Sequence, residues 1–177
     1  MSWDVLLLRL PPGITSLEEL GDDFNDPLGT TDDVRSVLRT AVSGLDLTDP
    51  SWGVLDTPNY SIEFSIGTTE PCTAVMLHIR GEDDAVEPIR AICQATDWTA
   101  FDCSVGSPMD FDADPAKGLR SWREYRDKVI PGAPPKGVSV STHDGSRVFV
   151  DNVGPLKGQP PAREGFWRRL WRRLTRA

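Results

Sequence analysis

From Trp3 to Leu10 the chain is apolar at nearly every position. This predicts a central strand buried on both faces and not an alternating edge strand. Pro11-Pro12-Gly13 ends it, and Ser16 to Leu20 reads as a short helix before the Gly/Asp/Pro-rich stretch from Gly21 to Gly29. Val34, Val37, Leu38 and Ala41 then fall on one helical stripe, predicting a helix over Thr31 to Ser43. Thr30 or Thr31 can cap it, Asp32 and Asp33 suit its positive end, and Gly44 is its stop.

Past Asp49-Pro50 the period changes from helical to alternating. Tyr60, Ile62, Phe64 and Ile66 alternate with Ser61, Glu63 and Ser65, which marks one buried and one polar face. Three antiparallel strands are predicted, Trp52 to Leu55, Tyr60 to Ile66 and Thr73 to Arg80, with turns at Thr57-Pro58-Asn59 and Gly67 to Cys72. Asp83 or Asp84 caps the next helix, which reaches Thr96 with Val86, Ile89, Ile92 and Cys93 inward; Pro88 sits near its first turn. Thr99 to Val105 reads as a strand with Phe101, Cys103 and Val105 on one face. A third helix opens at Asp114-Pro115 and runs to Val129, with Leu119, Trp122, Tyr125 and Val129 at helical spacing.

The element order β-α-β-β-β-α-β implies an α+β fold, for which an antiparallel sheet with helices packed on one face is the simplest arrangement; a ferredoxin-like variant is the first expectation, and a different α+β sandwich with the same element order is the alternative. Residues 1–130 form this core. Residues 131–153 are a Pro-rich segment and a late hairpin, Val138 to Ser141 and Arg147 to Val153, turning at His143-Asp144-Gly145. Residues 154–165 read as a flexible linker. Residues 166–177 read as an amphipathic helix, in which Phe166, Trp167, Leu170, Trp171 and Leu174 make a stripe backed by Arg168, Arg169, Arg172, Arg173 and Arg176.

Charge sharpens this division. Residues 1–162 hold 26 acids against 13 bases, a net −13, whereas residues 163–177 hold one acid and six arginines, a net +5. An acidic body repels nucleic-acid phosphates and suits basic protein partners. The tail suits an anionic membrane surface, a partner's groove or the protein's own acidic body. No apolar run approaches the length of a membrane span, and Val5 to Leu8 lacks the basic flank of a signal peptide, so the chain reads as soluble and cytoplasmic, with peripheral membrane contact through the tail as the variant. Cys72, Cys93 and Cys103 have neither disulfide-framework nor zinc spacing and read as reduced thiols.

The candidate chemistry is sparse. A register pairing Ile66 with Thr73 puts Ser61 opposite His78, with Glu63 and Arg80 as diagonal neighbours on the polar face. That group contains a base, a hydroxyl and a carboxylate. Asp102 and Ser104, followed by Gly106, mark a strand end where functional groups collect. The acids Asp22, Asp23, Asp26, Asp32 and Asp33 lack calcium-loop spacing, and Gly13, Gly21 and Gly29 do not form a phosphate cradle, so no metal or cofactor is implied.

The composition is similar to that of many bacterial immunity proteins, a likeness of composition and not of motif. The expectation is a non-enzymatic acidic module that binds a basic protein partner, as an immunity or adaptor protein. The alternatives are a membrane- or assembly-recruited component acting through residues 166–174, and a small enzyme using Glu63 and His78 or Asp102 and Ser104 on the sheet.

Overall fold

The computed structural model describes residues 1–14, 16, 19, 26–129, 139–141 and 147–149. The chain divides into two compact units, 1–136 and 137–177. The first contains β1 (Trp3–Leu8), α1 (Thr31–Ala41), β2 (Trp52–Asp56), β3 (Tyr60–Ser65), β4 (Ala74–Gly81), α2 (Val86–Ala95), β5 (Thr99–Asp102), β6 (Ser107–Pro108) and α3 (Lys117–Val129). The second contains the antiparallel hairpin β7 (Ser139–Ser141) and β8 (Arg147–Phe149), with Val140 opposite Val148. The expected helix at Ser16 to Leu20, the turn at His143, the linker and the tail helix lie outside the described residues.

One six-stranded sheet of order β2-β3-β4-β1-β5-β6 organises the first unit, and every pairing in it is antiparallel. The apolar run became an interior strand because β1 has a partner on each side, β4 and β5. Its odd positions Trp3, Val5 and Leu7 join the main core, as do Ile62 and Phe64 of β3 and Val75, Leu77 and Ile79 of β4. The helices cover that same face: Val34 and Leu38 from α1, Val86, Ile89 and Ile92 from α2, and Leu119 from α3 belong to the same cluster. Each fully buried aliphatic contributes about 1.5–3 kcal/mol of transfer free energy. The stripe on α1 is thus worth more than its helix propensity.

Local chemistry sets the element ends. Thr30 caps α1: its hydroxyl accepts from the Asp33 amide at 3.1 Å, and the Asp33 carboxylate accepts from the Thr30 amide at 3.0 Å. Asp83 and Asp84 do not cap α2 as expected; they belong to a 3-10 turn, Asp83–Ala85, that leads into it. Their carboxylates are engaged elsewhere, Asp83 with Arg120 and Arg123 of α3 and Asp84 with the Asn59 amide. On α3, Tyr125 faces outward at 38% exposure, and the neighbouring Arg126 is buried instead, its guanidinium 5.1 Å from the Trp122 ring centre. An arginine stem with a stacked head fills that position as well as a phenol does. Strand β5 ends at Asp102, leaving Val105 62% exposed in a turn.

The β3–β4 register is shifted by two residues from the expected one. Glu63 stands opposite His78 and Ser61 opposite Arg80. The shift follows from Cys72, which leaves the hairpin ladder to exchange backbone hydrogen bonds with the Leu28–Gly29 segment, both at 2.8 Å. Pairing of β3 with β4 therefore runs from Ser65–Met76 to Tyr60–Gly81. Because the shift is an even number, each side chain keeps its face.

Candidate functional site

The second face of the sheet, opposite the helices, carries the polar side chains that sequence reasoning picked out. The strand registers arrange it in rows. One row runs Val54, Glu63, His78 and Asp4 across β2, β3, β4 and β1. The next on one side contains Asp56, Ser61 and Arg80. On the other side, Trp52, Ser65, Met76, Leu6, Phe101 and Pro108 cross all six strands.

Within these rows the ionisable groups bind one another. Arg80 donates to Glu63 Oε1 at 2.8 Å, and both side chains are largely shielded from solvent. His78 Nδ1 lies 2.9 Å from Asp4 Oδ1, which also accepts the Ser2 hydroxyl at 2.7 Å. The Trp52 ring stacks on the His78 ring at 6.0 Å between centroids, with 23° between the planes. The imidazole thus has an aromatic face beside it and a carboxylate residue directly across on each neighbouring strand. Ser61, expected across from His78, instead stands across from Arg80. The base–hydroxyl juxtaposition that would suit nucleophilic catalysis is replaced by Glu63 across from His78, with Glu63 in an ion pair with Arg80 and His78 hydrogen-bonded to Asp4.

Asp4 was missing from the candidates. It is the one charged residue between Trp3 and Leu8, and that interruption was the available signal. Its pairing with His78 required knowing that β1 lies next to β4.

Asp102 and Ser104 are close to each other but not to this group, since Asp102 is paired with Val5 and so shares the helix-covered face. Asp102 Oδ1 accepts from the Ser104 amide at 2.7 Å, the Ser104 hydroxyl at 2.6 Å and the Val105 amide at 3.2 Å. The Gly106 amide donates to the Asp102 carbonyl at 2.8 Å, closing the turn. The other carboxyl oxygen lies against α3, where a Cβ on Gly118 would sit 1.8 Å from it. Asp102 therefore organises a turn and admits a helix.

Among the described residues no group of three or more His, Cys, Asp or Glu is placed to hold a metal ion. Burial pushes the thiols up, Cys93 to about 11 and Cys103 higher still with help from Asp4 and Asp102, which disfavours the nucleophilic thiolate. Asp33, Asp46 and Asp49 are held below the usual carboxylate range, chiefly by hydrogen bonds from the side chains of Thr30, Thr48 and Ser51. Their negative charge is fixed into the surface. The tail candidates Phe166, Trp167, Arg168, Arg169, Leu170, Trp171, Arg172, Arg173 and Leu174 lie outside the described residues, as does His143.

Fold and site define an α+β domain built on a six-stranded antiparallel sheet with three helices on one face. No family model, curated protein or solved structure matches the chain. Among the described residues no helix is long and apolar enough to cross a membrane.

Proposed function

We propose that this protein is a non-enzymatic, acidic binding module that docks a basic protein partner, in the manner of an immunity or adaptor protein. The observation that carries the reading is the charge balance of the body. Residues 1–129 hold 24 acids against 10 bases, and seven of those bases, Arg9, Arg35, Arg80, Arg90, Arg120, Arg123 and Arg126, are already in ion pairs with carboxylates of the same unit. The excess is negative and is offered outward, where it steers and selects a partner of opposite sign. The polar face supports a binding role in the same way, because Glu63, His78, Arg80 and Asp4 are engaged with one another.

The reading includes a cytoplasmic setting, supported by three free cysteines, and a ferredoxin-like core, supported by the placement of β1 between β4 and β5 with α2 connecting those two strands. Affinity capture of the full chain from its native cell tests the function. At about 50 mM salt a basic protein should be recovered in stoichiometric amount, and about 500 mM should release it. Recovery of the chain alone at low salt counts against the proposal.

A further inference from the structure

Of the three helices, α3 has the lightest apolar hold. Helix α1 buries Val34 and Leu38, and α2 buries Val86, Ile89 and Ile92, whereas the residues α3 buries are Gly118, Leu119 and Arg126. Its seat is also poorly satisfied. Among the described residues the Trp3 and Trp122 indole N–H groups are buried without a hydrogen-bond partner, and α3 comes so close to Trp3 that a Cβ on Gly118 would stand 2.8 Å from Nε1. Stranded donors of this kind regain water when the helix lifts, so the seam works against its own closure. Ion pairs supply the opposing hold. Arg120 donates to Asp83 at 2.7 Å, and Arg123 bridges Asp83 and Glu82, fastening α3 to the turn ahead of α2. The two carboxylates are 43% and 55% exposed, so dissolved ions reach them.

We propose that α3 is an ionic latch, a helix that lifts from the body when its pairs with Glu82 and Asp83 are broken and so uncovers Trp3, Leu119 and the Asp102 carboxyl. The segment leading into it locates the hinge. The Met109 amide donates to the Ala100 carbonyl at 2.8 Å, and Arg90 donates to the Phe111 carbonyl at 2.9 Å while stacking 5.2 Å from its ring centre. Asp110 Oδ1 then accepts from the Asp112 and Ala113 amides at 3.0 and 3.1 Å. The chain is therefore tied down as far as Ala113, and the bend falls at Asp114-Pro115. Opening leaves the rest of the body intact, because α1, α2 and strands β1 to β5 are held by their own burial and pairing. The latch is independent of the partner reading, since salt alone works it; a basic surface that takes Glu82 and Asp83 would open it by the same route.

The test is amide hydrogen exchange of the full chain, read peptide by peptide, at about 50 and about 500 mM sodium chloride. Peptides from α3 should exchange about fivefold faster at the higher salt, the sum of a few screened ion pairs. Peptides from α1 and α2 should be unchanged or slower, because salt also relieves the self-repulsion of an acidic body. Exchange of α3 that ignores salt, or that rises in step with α1 and α2, overturns the proposal. Asp83→Asn provides a second readout, since Asp83 is the carboxylate that both arginines share. It should speed α3 exchange about fivefold at the lower salt and remove most of the response to salt. A variant whose α3 keeps the parent's protection, or in which α1 and α2 lose as much protection as α3, overturns it as well.

Discussion

Gly118→Ala tests whether Asp102 is a structural residue, as its hydrogen bonds indicate. The added methyl would lie 1.8 Å from Asp102 Oδ2 and 2.8 Å from Trp3 Nε1, both buried against α3. Asp102 cannot swing aside freely, because its other oxygen holds the Ser104 amide, the Ser104 hydroxyl and the Val105 amide. Shifting it puts up to three hydrogen bonds at risk, at about 1 kcal/mol net each, and pushing the helix outward instead costs about 1–3 kcal/mol of overpacking. Alanine offsets about 1 kcal/mol of either cost through helix propensity. The net expectation is a loss of about 2 kcal/mol, or a melting temperature lower by about 7 °C. Thermal melts followed by circular dichroism, with urea titration as a check, measure it. The same substitution made in an Asp102→Ala background should cost less than half as much, since the carboxyl it strikes is gone. A Gly118→Ala protein as stable as the parent, or one whose cost is unchanged in that background, would refute the reasoning.

Thr30→Ala removes the hydroxyl that caps α1 and should destabilise the body by about 1 kcal/mol in urea titration. Stability should fall with acid. Asp33, Asp46, Asp49 and Asp97 have lowered folded-state pKa values, so their contribution is present above the ordinary value of 3.8 and is lost as pH drops through the folded values. Urea midpoints at about pH 6 and about pH 3 should differ in that direction, and equal midpoints would contradict it. Burial raises the pKa of Cys72, Cys93 and Cys103; a thiol reagent at about pH 8 should therefore modify the native protein far more slowly than the unfolded one.

The legible parts of the fold were those with a strong local period. The α1 stripe, the alternation in β3 and the largely apolar β1 run each correspond to an observed element, because burial on one face or two dictates such patterns directly. Features decided by distant partners were not legible. The β3–β4 register depends on Cys72 bonding to a segment more than forty positions earlier, Leu28–Gly29. Asp83 and Asp84 have the composition of caps but are drawn to α3 and Asn59. At the candidate site, alternation correctly put Glu63, His78 and Arg80 on one face, while Asp4 entered the group only through the strand order. Asp102 and Ser104 are two positions apart in sequence and remain partners, with Asp102 on the opposite face, a distinction set by how β5 pairs with β1.

The central claim is that the body's excess negative charge serves to bind a basic partner. The most direct measurement is the dissociation constant of the captured partner, titrated against the full chain by calorimetry from about 50 to about 500 mM salt. The account predicts a one-to-one complex that weakens at least about tenfold over that range, roughly 1.4 kcal/mol. A partner that is not basic, or an affinity that does not change with salt, would contradict it.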